Sequence, residues 1–175
     1  GDVYKRQKYI IMKFIKSIST SIFTLLLCTA CESDLEQVTY SSENAIPSTL
    51  SSLNDSYILE SKNASQEAFT LTWSYPDLGY QASVINALEM DVKDKNFANK
   101  VILASSKTDL SHTITVSDLN SKIMTLLKVY EIETAPIGIE FRISSSISAA
   151  ADTLYSNIVS TTITPYEGCL LYTSD

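Results

Sequence analysis

The groups in this sequence able to do chemistry are three cysteines, one histidine, and scattered carboxylates and aromatic side chains. Cys28 and Cys31 close an apolar run with Thr29 and Ala30 between them, whereas Cys169 stands apart near the end of the chain. A cysteine thiol is a nucleophile once ionised, so these are positions open to covalent chemistry. The three cysteines do not form a framework, so no structural disulfide is expected. No metal site of the Cys/His type is expected either, because zinc takes about four clustered ligands and only His112 accompanies the cysteines. His112 opens a predicted strand with no nucleophilic Ser motif or Cys beside it and reads as structural. Glu131 and Glu133 alternate on a predicted strand face; a glycosidase pair would need a cleft about 5 to 10 Å across, and a solvated face is the expectation. Asp91, Asp94 and Asn96 suggest a calcium loop but lack its glycine and terminal Glu. No catalytic residue, metal ligand or cofactor is assigned.

Aromatic platforms bind sugar faces, and Trp73, Tyr75, Tyr80 and Phe97 are the side chains that could supply one. Trp73 alternates with Phe69 and Leu71 and is expected in the core. Tyr75 and Tyr80, flanking a turn, remain as candidates, and no glycan-binding residue is assigned.

The elements that must position these groups are short and alternating. In residues 67–74, Phe69, Leu71 and Trp73 share one face and Thr70 and Thr72 the other, up to the Pro76-Asp77 turn. In residues 84–92, Val84, Leu88, Met90 and Val92 are expected to face in, and Glu89 and Asp91 out. Residues 93–96 turn the chain. Residues 101–103 and 113–116 are further strands. Ile137, Ile139, Phe141 and Ile143 line a strong one with Glu140 and Arg142 on its solvent side, and residues 57–60 and 157–164 complete the set. Leu119, Ile123, Leu126 and Leu127 recur instead at helical spacing behind Ser117, a predicted N-cap, so one short helix should cross between sheets. About seven strands and one helix make an all-β, immunoglobulin-like or fibronectin type III-like sandwich.

The chain of 175 residues suits one such domain, and its 45% apolar and 19% charged content suits exposed strands better than long surface helices. Charge is uneven. Five of thirteen basic residues precede Cys31, leaving eight basic against eighteen acidic residues over positions 32–168, a net charge of −10. Such a body repels phosphate backbones, and with no local basic cluster nucleic acid is excluded as a partner.

Residues 1–7, GDVYKRQ, and the tail CLLYTSD resemble conceptual translations of sequencing-adapter DNA. Residues 1–11 are therefore taken as non-native or upstream sequence, 168–175 as a non-native tail, and Met12 as the natural start. From Met12, Lys13 and Lys16 form a positive n-region and residues 22–27 an apolar h-region. That run is too short to span a bilayer, which takes about 20 residues. The sequence Cys28-Thr29-Ala30-Cys31 resembles the lipobox of bacterial lipoproteins, with Cys28 where that family usually has Leu. The resemblance implies a signal peptide over 12–30 and lipidation at Cys31, the mature N-terminus; several acyl chains, each burying methylenes worth about 0.8 kcal/mol, would anchor the protein stably. The acidic start Glu32, Ser33, Asp34 and Glu36 resembles the export signal of surface-exposed lipoproteins. Residues 31–50, rich in Ser, Thr, Asn and Glu, read as a flexible tether and 51–167 as the sandwich.

The stretches AFTLTWSYPDLGYQASVINALEMD, NFANKVILA and TLYSNIVSTTITPY resemble the N-terminal domain of SusE-type outer-membrane lipoproteins over nearly all of residues 56–166. The resemblance implies a bacterial outer-membrane, cell-surface lipoprotein of a starch- or glycan-utilisation system. Its partners would be a porin-type importer and companion surface lipoproteins. Binding rather than catalysis is implied, with the first domain a spacer and oligosaccharide held by C-terminal modules beyond this chain. Two other readings stay open: the N-terminal module of a surface glycoside hydrolase, and a structural or adhesive sandwich lipoprotein.

Overall fold

The computed structural model describes residues 45–79, 81–148 and 151–167. Among them are eight strands and one α-helix: β1 (Ser56–Ile58), β2 (Glu67–Thr72), β3 (Ile85–Val92), β4 (Val101–Ser106), β5 (Ser111–Thr115), α1 (Val116–Val129), β6 (Ile137–Ser146), β7 (Leu154–Tyr155) and β8 (Val159–Thr164). The larger sheet has the order β1-β8-β6-β3-β4, with β7 paired to β6; the smaller is β2 with β5. Every pairing is antiparallel except that of β1 with β8. The expected all-β sandwich with one helix is thus what the chain forms, with the short β7 added.

Period-2 alternation places the core between the layers. Phe69 and Leu71 of β2 and Ile114 of β5 meet Leu88 and Met90 of β3, Ile139, Phe141 and Ile143 of β6 and Ile163 of β8, all buried in one cluster. Fully burying a side chain of this size contributes roughly 1.5–3 kcal/mol. The Phe69 ring joins the layers, edge-on to Phe141 with centroids 5.8 Å apart and 4.9 Å from Tyr57 of β1. Trp73 lies in the same core, as its alternation predicts.

The helix carries the chain from the smaller sheet to the larger and buries Leu119, Ile123, Leu126 and Leu127 in the common core. Its N-cap is Thr115, not Ser117. Thr115 ends β5 in an extended conformation, and its hydroxyl accepts the Asp118 N–H at 3.2 Å. Val116, the next residue, is buried and already helical, so the helix starts earlier than its most apolar residues suggest.

The folded body begins before residue 51. Ile46 and Asp77 exchange main-chain hydrogen bonds of 2.7 and 2.9 Å, Ser51 N–H donates to Thr72 O, and the Asn157 amide grips both the N–H and C=O of Leu50. Leu50 and Ser48 are both buried. Residues 45–50 are polar in composition yet hold Leu50 against Trp73 as an irregular strip along the edge of β2.

Two inward/outward assignments are corrected. Glu89 and Asp91, expected to face solvent, are on the outer face of the larger sheet but are 2% and 0% exposed. β3 is flanked by β6 and β4 on both sides, and residues from the 93–99 loop, β6 and β7 cover its outer face. Glu131 and Glu133 are not on a strand; they lie exposed between α1 and β6, where Glu131 takes the left-handed φ of 54° that ends the helix.

Candidate functional site

Cys31, which the sequence suggests as an acyl acceptor, lies outside the described residues, as do the lipobox-like stretch, the acidic start and Tyr80. The aromatic and charged candidates can be placed.

Tyr75 is the exposed member of the aromatic set, with 43% of its surface open. Its hydroxyl accepts the Val84 N–H at 3.2 Å and sits 3.4 Å from the Ala82 carbonyl, which fixes the ring against the start of β3. With Asp77, Gln81 and Ser83 it lines an open hollow of about 540 Å³ at the β2–β3 turn. The Asp77 carboxylate is committed to the Gly79 N–H at 2.8 Å, within a turn where Gly79 has a φ of 75°. An aromatic face beside amide and hydroxyl groups has the chemistry of a sugar contact.

Phe97 is no platform in the solvent sense. It is 6% exposed and lies under the Arg142 guanidinium, whose carbon is 4.0 Å from the Phe97 centroid and 4.0 Å from that of Tyr155. Arg142 Nε donates to Glu89 at 2.8 Å, Lys100 Nζ to the other side of the same carboxylate at 2.5 Å, and Ser144 Oγ adds a third bond at 2.8 Å. Burial alone would push the Glu89 carboxyl up. The hydrogen bonds from Lys100, Arg142 and Ser144, with the Lys100 charge, outweigh burial and hold it below the ordinary glutamate value. Glu89, Arg142, Lys100, Phe97 and Tyr155 thus form one cluster on the outer face of the larger sheet, and sequence reading misses it. The available signal was two charges of opposite sign, Glu89 and Arg142, each interrupting an apolar strand on the same face.

Asp91 does not reach toward Asp94 and Asn96 as a calcium loop would. Its carboxylate accepts the Val92 and Asn99 N–H groups at 2.7 and 3.1 Å and the Tyr130 hydroxyl at 3.0 Å, so it fastens the 93–99 loop to the end of α1. Among the described residues no group of three or more His, Cys, Asp or Glu side chains converges to hold a metal ion. His112 faces inward opposite Leu71, half-buried, with Lys122 and Asp118 of α1 as its charged neighbours. Burial first, and then the Lys122 charge, lower its pKa, and Asp118 opposes them. Among the described residues no hydroxyl or thiol nucleophile is hydrogen-bonded to it.

The arrangement is that of a β-sandwich module whose charged centre is neutralised by its own side chains. The family model described as SusE outer membrane protein matches residues 33–144. The chain belongs to that family, and so to the outer-membrane proteins of starch-utilisation systems. Neither the comparison with curated proteins nor that with solved structures gave a match.

Proposed function

We propose that this chain is the membrane anchor and spacer domain of a cell-surface, oligosaccharide-binding lipoprotein, held in the outer membrane by acyl chains on Cys31. The observation that carries the reading is the family match beginning at residue 33, two residues after a cysteine in a lipobox-like context. The β-sandwich is immunoglobulin-like on this reading: β2 pairs β5 and β3-β6-β8 are consecutive, the B–E and C–F–G neighbours of that architecture. Its role is mechanical and binding-related rather than catalytic. Oligosaccharide is taken up by modules that follow this one, next to a porin-type importer and companion lipoproteins. The Glu89 cluster supports a spacer, since its charged groups are occupied by one another.

The test is fractionation of cells expressing the chain with and without Cys31→Ala. Lipid labelling and membrane recovery of the parent, both lost in the variant, are expected. A variant that stays in the membrane fraction would sink the anchor reading. Calorimetry of the chain against maltooligosaccharides should show no binding tighter than millimolar, about −4 kcal/mol.

A further inference from the structure

We infer that the end of the sandwich where the chain enters is a membrane-contact face, resting on the interfacial layer of the bilayer, a placement that depends on the acylation of Cys31 proposed above. Ile46 is bridged to Asp77, past the end of β2, so the segment from Cys31 joins the body where β2 stops and β3 starts. β4 and β6 finish at the same end, with Ser106 opposite Asn86 and Ser146 opposite Ile85. Leu110 belongs there too, because its carbonyl accepts the Trp73 N–H at 2.9 Å.

Exposed apolar side chains collect at this end. Among the described residues nine large apolar side chains are exposed, and four of them are here: Ile46 at 64%, Tyr75 at 43%, Ile85 at 40% and Leu110 at 37%. Charge is distributed the other way. The described charges at the entry end are Asp77, Lys107, Asp109 and Asp152, of which Asp77 accepts the Gly79 N–H and Asp109 the Ser106 hydroxyl. At the opposite end the 93–99 loop meets the close of α1, with Lys95 over the Tyr130 ring, and Lys93, Asp94, Lys95, Lys128, Glu131 and Glu133 are exposed. A charge-poor apolar end opposed to a charged one is the polarity of a body lying against a lipid interface, where apolar area supplies the affinity and an aromatic ring sits at headgroup level. The Tyr75 hydroxyl, which accepts the Val84 N–H, holds that ring in place.

The chain itself selects the occupant. Cys31 and Ile46 are fifteen residues apart, a reach of at most about 55 Å, so acyl chains on Cys31 keep the entry end within that distance of the bilayer. Bringing the opposite end to the same surface takes a further length of β3, eight residues or roughly 27 Å. Confinement makes the contact intramolecular, so a patch too weak to bind a membrane from solution is sufficient.

The experiment places the full acylated chain on phosphatidylcholine vesicles with one added indole as reporter, at the entry end in Tyr75→Trp or at the other end in Val129→Trp. Flotation with the vesicles reads the anchor, and quenching by lipids brominated high in the acyl chain reads the contact. The parent, whose Trp73 is buried, gives the background. Both proteins should float, with quenching in Tyr75→Trp at least about twice that in Val129→Trp and twice the background. Adding Ile46→Asp and Ile85→Asp to Tyr75→Trp should return quenching to background with flotation intact. Both side chains are exposed, and slow exchange of the β3 and β6 amides checks that this variant is folded. If the protein floats and the two reporters are quenched alike, or the aspartates change nothing, the contact is overturned and the anchor stands. Loss of flotation in the parent overturns both.

Discussion

Arg142 lies over the ring of Phe97 at 4.0 Å, and Phe97 holds this position with a left-handed φ of 56°. For a bulky L-residue that conformation costs roughly 1–2 kcal/mol. Burial of the ring and its contact with the guanidinium offset the cost, and the same guanidinium is held by Glu89 and capped by Tyr155. The 93–99 loop, β6 and β7 are therefore fastened by one side chain. Arg142→Ala should destabilise the domain by about 3 kcal/mol in urea unfolding, because it leaves Glu89 buried with a single cation. In the double variant with Glu89→Ala the loss should be clearly smaller than the sum of the single losses. Additive losses would show that the two side chains do not act as a pair. Arg142→Lys should not restore stability, since an ammonium lacks the planar face that lies between the two rings.

The Glu89 carboxyl also sets an acid limit. Its folded pKa is depressed below the ordinary 4.5, so its contribution is fully present above that value. It is lost as pH falls from there through the folded value, where the unfolded chain binds the proton first. Urea midpoints of the parent should fall more steeply below pH 4.5 than those of Glu89→Gln. Parallel curves would mean that the carboxylate contributes no differential protonation.

His112 acts in a separate window. Its folded pKa lies below 6.5, so above that pH both folded and unfolded chains carry neutral imidazole and no penalty exists. As pH falls below 6.5 the unfolded chain protonates first, and stability declines until the lowered folded pKa is passed. His112→Gln should flatten the stability profile just below pH 6.5 while leaving the acid limb set by Glu89 unchanged. A profile unaltered by the substitution would contradict the inward, desolvated placement of the ring.

Much of the fold could be read from alternation because one face of each long strand is apolar. Phe69, Leu71 and Trp73, and Ile139, Phe141 and Ile143, were placed correctly by period alone, and the helical spacing of Leu119, Ile123 and Leu126 marked the helix. Alternation names the two faces of a strand but not what covers the second one. Glu89 and Asp91 therefore look solvated in the sequence, whereas Phe97, Arg142 and Tyr155 cover the first and the 93–99 loop and Tyr130 hold the second. Residues 45–50 look like tether in the sequence because two buried side chains among polar residues make no periodic signal, and their order depends on the distant Asn157. The same limit applies to the site. Tyr75 is legible at its turn, but the joining of Phe97 with Tyr155 across 58 residues of sequence depends on strand pairing, which no local pattern encodes.

Glu131 offers a stabilising change. It follows the last turn of α1 with a φ of 54°, and the neighbouring Ile132 N–H returns to Leu127 O at 2.9 Å, closing the helix in the way glycine usually allows. A β-carbon there is strained, and a carboxylate at the negative end of the helix dipole is mildly unfavourable. The side chain is exposed and no hydrogen bond or ion pair holds it among the described residues. Glu131→Gly should raise stability by roughly 0.5–1 kcal/mol, the relief of strain exceeding the added freedom of the unfolded chain. Glu131→Gln should give only the smaller electrostatic part. Urea unfolding of the three proteins separates the two effects: equal gains in both variants would assign the cost to charge alone, and a loss in the glycine variant would show that the backbone at this position is not strained.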